Sequence, residues 1–195
     1  MTISPTFILL LLTTLFPGPL VRAASGSTAT AADSMDRKLQ HIQQNGARAH
    51  PDPTRTELTE QEVNAYFAAG RVKLPAGVQS VHFACQPDVV TATNRIDFDQ
   101  VKAGRSSSSP LLSIFKGVHD VVVVAHARGI GHQGYVQVDS VALDGVEIPR
   151  FVLELCVEKY LRPKYPNIGM NSQFALPAKI DSARVGLHKV TVIQK

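Results

Sequence analysis

The chain contains no tryptophan, only two cysteines and no cluster of basic residues. Two cysteines exclude a disulfide-dense scaffold, and the absence of interleaved basic and aromatic side chains argues against nucleic acid as a partner. The 20 basic and 16 acidic residues leave a formal charge of +4, an excess too small to predict a polyanionic partner. Since 44% of the 195 residues are apolar, the chain can form one hydrophobic core, and we expect a single domain.

Motifs for catalysis and nucleotide binding are also absent. Ser106 to Ser109 form a serine run, but no nucleophile elbow surrounds it. Gly129, Gly131 and Gly134 have the spacing of a dinucleotide fingerprint, which requires a helix after its third glycine. Here the residues after Gly134 alternate as a strand, so we interpret the glycines as a hairpin turn. The sequence therefore predicts a protein that is not an enzyme and has no cofactor.

The histidines and cysteines raise two further hypotheses about sites. His119, His126 and His132 are the nearest histidine group, but the first two lie an odd number of residues apart on one predicted strand. They should therefore point to opposite faces of a sheet, and we predict no metal centre. Cys85 and Cys156 could form one disulfide in an oxidising compartment or stay as two free thiols, and the sequence leaves both alternatives open.

The N-terminal segment has the features of a secretory signal. Phe7 to Phe16 is an apolar run too short to span a bilayer as a helix, and it ends at Pro17-Gly18-Pro19. Val21 and Ala23 place apolar and small residues where a signal peptidase cleaves. We therefore predict a signal peptide over residues 1–23 and an exported protein, either periplasmic or secreted. An uncleaved anchor is the alternative, because no lysine or arginine precedes the apolar run.

The next segment, residues 24–56, is rich in small and polar side chains, a composition that predicts a flexible tether. Met35, Leu39 and Ile42 fall at helical spacing, which allows a short helix over about residues 34–44. Because such a short helix frays in isolation, we expect the tether. The folded domain should then span residues 57–195.

The folded domain opens on a capping box, the strongest local signal in the chain. The Thr59 side chain can accept from the Glu62 backbone N–H while the Glu62 carboxylate accepts from the Thr59 N–H. Gly70 can then take the left-handed conformation that ends a helix. The pattern predicts a helix between these residues.

Alternation of apolar and polar residues predicts antiparallel strands after this helix. Residues 81–85 and 90–98 form one such pair, and a change of parity near Asp139-Ser140 indicates a bulge. Asp144-Gly145 between two short apolar segments predicts a tight hairpin. A second helix should follow from Arg150 to about Leu161, with Phe151, Val152, Leu155 and Cys156 on its buried side. These elements predict an α+β domain.

Several of these segments, taken in order, resemble a known group of proteins. They are Leu58-Thr59-Glu60-Gln61-Glu62-Val63-Asn64-Ala65-Tyr66, Leu74-Pro75-Ala76-Gly77-Val78, Asp97-Phe98-Asp99, and Val141-Ala142-Leu143-Asp144-Gly145-Val146-Glu147-Ile148-Pro149. The order is similar to that in exported bacterial TULIP-like proteins, which include YceB-type lipoproteins and LmeA-type periplasmic proteins. The resemblance implies a strongly curved antiparallel sheet wrapped around a helix, with a second helix in the same domain. This chain lacks the cysteine that anchors the lipoprotein members after their signal.

The resemblance also implies a function. It points to a non-catalytic carrier of the cell envelope that binds a lipid or another long apolar molecule, and no catalytic residue is carried over. An interaction module with a filled core, contacting another envelope protein, is the alternative, and a hydrolase with an unrecognised site is the third possibility. The implied apolar groove would be lined by nine side chains: Val63, Phe67, Phe83, Ile96, Phe98, Val122, Val124, Phe151 and Leu155.

Overall fold

A computed structural model of the protein describes residues 26–103, 116–162 and 168–195. The predicted signal peptide and the serine run lie outside these residues. The helices are α1 (Gly26–Gly46), α2 (Glu60–Ala68), α3 (Phe98–Ala103) and α4 (Arg150–Cys156), which continues as a π-helical turn over Val157–Leu161. The strands are β1 (Thr56–Thr59), β2 (Val78–Gln86), β3 (Val89–Asp97), β4 (Val118–Ile130), β5 (Gln133–Leu143), β6 (Val146–Glu147), β7 (Asn171–Ala175), β8 (Ile180–Gly186) and β9 (Lys189–Gln194). Within the described ranges, no helix is both long and apolar enough to cross a membrane.

All of these strands belong to one antiparallel sheet. Its main path runs β1-β9-β8-β4-β3-β2, while β5 pairs with β4 and carries β6 and β7 on its other edge. β4 is central: β3 pairs along residues 118–126 of one edge, β8 pairs with Arg128 and Gly129, and β5 takes the opposite edge. The prediction of a single α+β domain with a large antiparallel sheet is confirmed.

The predicted hairpin turns are confirmed by their backbone angles. Gly131 and His132, between β4 and β5, have φ values of 57° and 62°. Asp144 and Gly145, between β5 and β6, have φ values of 49° and 81°. Two consecutive residues with positive φ are characteristic of the type I′ turn that joins twisted antiparallel strands. The glycine-rich segment is therefore a hairpin followed by a strand, as the alternation predicted.

The predicted flexible tether over residues 24–56 is wrong for most of its length. Residues 26–46 form the 21-residue helix α1, which extends well beyond the short helix that the apolar spacing allowed. Ala32, Met35, Leu39 and Ile42 are at most 2% exposed, because one stripe of α1 packs into the core. Tertiary packing of this stripe stabilises a helix whose polar composition would not hold it alone.

The core lies between one face of the sheet and helices α1 and α2. Phe67 of α2 meets Phe83 of β2 edge to face, with ring centroids 5.2 Å apart. We call this side of the sheet the core face and the opposite side the outer face. The large buried side chains of the cluster are Met35, Leu39, Ile42, Leu58, Val63, Tyr66, Phe67, Val72, Phe83, Val90, Leu176, Ile180, Val185 and Val192.

A buried carboxylate, Glu62, joins α1 to the start of α2. It accepts hydrogen bonds from Ser34 Oγ at 2.7 Å, from Lys38 Nζ at 2.7 Å and from the Thr59 backbone N–H at 2.9 Å. The Glu62 N–H donates in return to the Thr59 hydroxyl, which confirms the capping box. Burial raises the pKa of Glu62, but the hydrogen bonds from Lys38, Ser34 and Thr59 outweigh burial and lower this pKa to about 2.

A second buried polar network fixes the C-terminal strand to the end of α1. Gln194 Oε1 accepts from Asn45 Nδ2 at 2.9 Å, and Gln194 Nε2 donates to the carbonyl oxygens of Ile42 and Ala178. Gly46 is required at the same place, because a Cβ atom on it would lie 2.2 Å from the Ala178 carbonyl oxygen. These bonds satisfy the buried amides and set the position of α1 along the sheet.

Leu39→Ala tests whether α1 is part of the fold. It should lower the free energy of unfolding by about 2–5 kcal/mol, because it removes fully buried atoms and leaves a cavity. Gln40→Ala, at the exposed neighbouring position, is the control and should change this free energy by less than about 0.5 kcal/mol. Urea denaturation followed by circular dichroism measures both variants. Equally small effects would contradict the packing of α1.

Glu62→Gln tests the buried carboxylate through pH. Because the folded pKa lies below the unfolded value of 4.5, the charge on Glu62 stabilises the fold above that value, and this stability is lost as pH falls towards 2. The loss should be roughly 2–3 kcal/mol for the natural protein, and Glu62→Gln should show a shallower decline between pH 5 and 2. Denaturation at a series of pH values measures the slopes. Glu147→Gln, on exposed β6, is the control that should follow the natural protein; a Glu62→Gln slope equal to that of the natural protein would refute the assignment.

Candidate functional site

Three of the nine predicted groove residues lie together in the core cluster. Val63, Phe67 and Phe83 are 6%, 8% and 5% exposed and pack between α2 and the core face. They contact one another and their neighbours in the cluster. They form part of the core cluster, and two of them, Val63 and Phe83, also line the small cavity described below.

Two other predicted groove residues lie on the opposite side of the sheet. Phe83 pairs with Ala92, and Ala92 pairs with Val123, so Val123 shares the core face with Phe83. Because successive strand residues alternate between faces, Val122 and Val124 lie on the outer face. A groove shared by Phe83, Val122 and Val124, as predicted, is therefore wrong.

The remaining four lie towards the far end of the sheet, away from the core cluster. Ile96 pairs with His119, and the Phe98 ring lies edge to face with the His119 ring at 5.6 Å. Phe151 and Leu155 of α4 are 70% and 49% exposed, which corrects the prediction that they form the buried side of this helix. Periodicity placed them on one side of α4, but the sheet does not cover that side.

A small apolar cavity lies at the core face of the sheet, beside Val63 and Phe83. Its volume is about 120 Å³, and Phe174, Leu176 and Val190 complete its wall. Pockets that hold drug-sized ligands usually measure about 300–1,000 Å³. The core cavity therefore has no room for a long acyl chain.

The two cysteines are free thiols in this structure. Cys85 is buried on the core face of β2, and Cys156 is half-buried at the end of α4. Burial raises the pKa of both thiols, and the nearby Glu60 carboxylate raises that of Cys85 further. Of the two alternatives that the sequence left open, the structure contains the unbridged one, with both thiols protonated at neutral pH.

A much larger cavity, which we call the outer cleft, lies on the outer face. Its volume is about 1,100 Å³. Strands β4, β5, β7, β8 and β9 form its floor and walls, together with Arg55 before β1 and Asp88 in the β2–β3 turn. The side chains that line it on the outer face include Arg128, Ile130, Tyr135, Gln173, Arg184, Thr191 and Ile193. None of the nine predicted groove residues is among its lining residues.

The register of the sheet places a row of polar side chains across the cleft floor. Arg128 of β4 pairs directly with Arg184 of β8 on one side and with Tyr135 of β5 on the other. The row continues to Thr191 beyond Arg184 and to Gln173 beyond Tyr135. The Arg128 guanidinium lies over the Tyr135 ring, 5.7 Å from its centroid. The cleft floor is thus cationic and hydrogen-bonding at its centre.

A histidine and an aspartate lie at the end of the cleft. His126 Nδ1 is 2.7 Å from Asp139 Oδ2. Asp139 is the extra residue of the predicted bulge, which is confirmed because Val124 pairs with Ser140 while Ala125 pairs with Val138. Within the described part of the chain, no serine or threonine hydroxyl hydrogen-bonds to His126. The Asp139 carboxylate therefore orients the His126 ring at the cleft.

The histidines considered as metal ligands are separated by the sheet. His119 is on the core face opposite Ile96, whereas His126 is on the outer face, which confirms that the two point in opposite directions. His119 Nδ1 lies 2.6 Å from Asp144 Oδ2, and this hydrogen bond raises the pKa of His119. Among residues 26–103, 116–162 and 168–195, no group of three or more His, Cys, Asp or Glu side chains is placed to hold a metal ion.

The outer cleft was not predicted, although the exposure of part of its lining could be predicted from the sequence. Arg128 and Tyr135 occupy outward positions in alternating strands, so their exposure could be predicted. Their meeting with Arg184 depends on the pairing of β4 with β8, which are far apart in the chain. No local pattern reports that pairing.

Comparison with known proteins found no matching family model, curated protein or solved structure. The likeness to TULIP-like proteins therefore stays a prediction from short motifs.

Arg184→Gln tests the electrostatics of the cleft floor. Two like charges directly opposite on adjacent strands repel, so the variant should gain about 0.2–1 kcal/mol of unfolding free energy at low salt. The gain should shrink as salt screens the repulsion. Arg95→Gln is the control, because it removes an arginine that faces Asp120 at 3.4 Å and should bring no gain. A loss of stability in Arg184→Gln at low salt would contradict the repulsion.

Proposed function

We propose that this chain is a non-catalytic binding protein and that its ligand is an amphipathic, lipid-like molecule held in the outer cleft. The observation that carries the proposal is the size of this cleft, about 1,100 Å³, compared with about 120 Å³ for the cavity at the core face. A ligand of lipid size fits the first volume and not the second. The proposed function is still that of a carrier, but the ligand binds on the outer face of the sheet and not in an interior groove.

The chemistry of the lining supports an amphipathic ligand. Ile130, Tyr135 and Ile193 supply apolar surface on the same face as the central arginines. Ile130 is 63% exposed, so a bound alkyl chain would cover apolar area that water now contacts. A wholly polar ligand would leave this area uncovered.

We also propose that the protein is exported and that it is related to the TULIP-like proteins. The apolar N-terminal run supports export to the periplasm or the medium, where a carrier of envelope lipids would act. The proposed kinship is with the TULIP-like proteins, in which a strongly curved sheet wraps around a helix. Binding on the outer face would be a departure from the groove of that group.

An interaction module is the second candidate, and a separate observation favours it. Val118, Val146, Phe151 and Leu155 are between 40% and 71% exposed at the far end of the sheet and on α4. Grouped exposed apolar side chains are typical of surfaces that contact a partner. The partner would be another protein of the envelope.

Native mass spectrometry of protein purified from a periplasmic expression host tests the binding function. We expect a co-purifying lipid at a stoichiometric ratio, identified after organic extraction. Ile130→Asp should weaken its retention about tenfold or more, because it places a charge against the apolar part of the ligand. Leu187→Asp, at an exposed leucine in the β8–β9 turn, is the matched control and should retain the lipid. An apo mass with no uptake of added lipids would refute the proposal.

A further inference from the structure

We infer that the outer cleft recognises an anionic group, a phosphate or a carboxylate, between Arg128 and Arg184. This inference rests on the proposed function and adds the chemical class of the ligand's polar end. It assigns a binding role to two residues that the sequence did not single out.

The register of strands β4 and β8 places the two arginines side by side. Arg128 and Arg184 are direct partners on adjacent antiparallel strands, so their Cβ atoms are separated by only about 4.5–5.5 Å. Both side chains lie on the outer face and both line the same cleft. Like charges placed this way repel unless an anion lies between them.

Among the described residues, the arginines of the cleft have no carboxylate partner that neutralises their charge. No carboxylate in the described part of the chain lies within salt-bridge distance of Arg55, Arg128 or Arg184, whereas Arg71, Arg95 and Arg150 each have at least one. Asp88 lines the cleft, and Asp139, the partner of the lining residue His126, is already paired with that histidine. The centre of the cleft therefore has an excess of positive charge.

The hydrogen-bond donors of the cleft floor are positioned to bind an anionic group. The Arg128 guanidinium is held over the Tyr135 ring, which limits the positions of its planar fork. Arginine forks bind the oxygens of phosphate and carboxylate groups through paired hydrogen bonds. Thr191 and Gln173, at the two ends of the same cross-strand row, offer further polar groups to such a ligand.

The test compares three probes by isothermal titration calorimetry on the protein purified free of lipid. Dodecyl phosphate carries both an anionic group and an alkyl chain. Dodecyl maltoside carries the same chain on an uncharged sugar headgroup, and inorganic phosphate carries the anion alone. Both amphiphiles are kept below their micelle concentrations. We expect dodecyl phosphate to bind at least about tenfold more tightly than either other probe, with an affinity that falls as salt rises.

The variants assign the effect to the two arginines. Arg128→Gln/Arg184→Gln should weaken dodecyl phosphate binding about tenfold or more and leave dodecyl maltoside binding within about twofold. Arg37→Gln/Arg48→Gln removes the same charge from exposed arginines of α1 and the turn after it, and should leave both affinities unchanged. Circular dichroism and thermal unfolding check that every variant is folded.

Each remaining outcome has one meaning. Equal binding of the two amphiphiles, or anion binding that survives the loss of both cleft arginines, would overturn the inference while the proposed function stands. Tight arginine-dependent binding of inorganic phosphate alone would support the anion site and overturn the lipid-like ligand. Binding of none of the three probes would overturn both.

Discussion

The rest of the structure depends on the hydrogen bonds of the Glu62 carboxylate, because they join α1, β1 and α2 at one buried point. The carboxylate completes the capping box that starts α2, and it accepts hydrogen bonds from Ser34 and Lys38 of α1. With α1 held in this way, its apolar stripe packs against the core face beside α2. The helices therefore fill the side of the sheet where a groove was predicted, and only a small cavity remains there.

Because the helices fill the core face, we propose that function lies on the outer face. The two faces of β4 differ in chemistry: Ala125 is fully buried on the core face, while Arg128 is exposed in the outer cleft. We predict that the pairing of Arg128 with Arg184 lowers the stability of the free protein and that a bound anion removes this repulsion. Such a conflict between stability and ligand binding is common at functional sites.

Local signals in the sequence predicted local structure well. Thr59 and Glu62, Asp144-Gly145 and the parity change at Asp139 each depend on neighbouring residues, and each prediction is confirmed. Helix α1 could not be predicted in full, because its stability comes from packing against distant strands. The four consecutive valines of β4 show no alternation, so the sequence did not reveal which of them face the core. The cleft escaped prediction for the same reason, since Arg128 meets Arg184 only through long-range pairing.

An amide NMR titration with dodecyl phosphate tests most directly whether the ligand binds on the outer face. We expect the largest chemical-shift changes at Arg184, Thr191 and Ile193, which line the outer cleft and not the cavity on the core face. Large changes at Val63 and Phe83, with none at Arg184, Thr191 and Ile193, would show that the ligand enters the core and would contradict binding on the outer face.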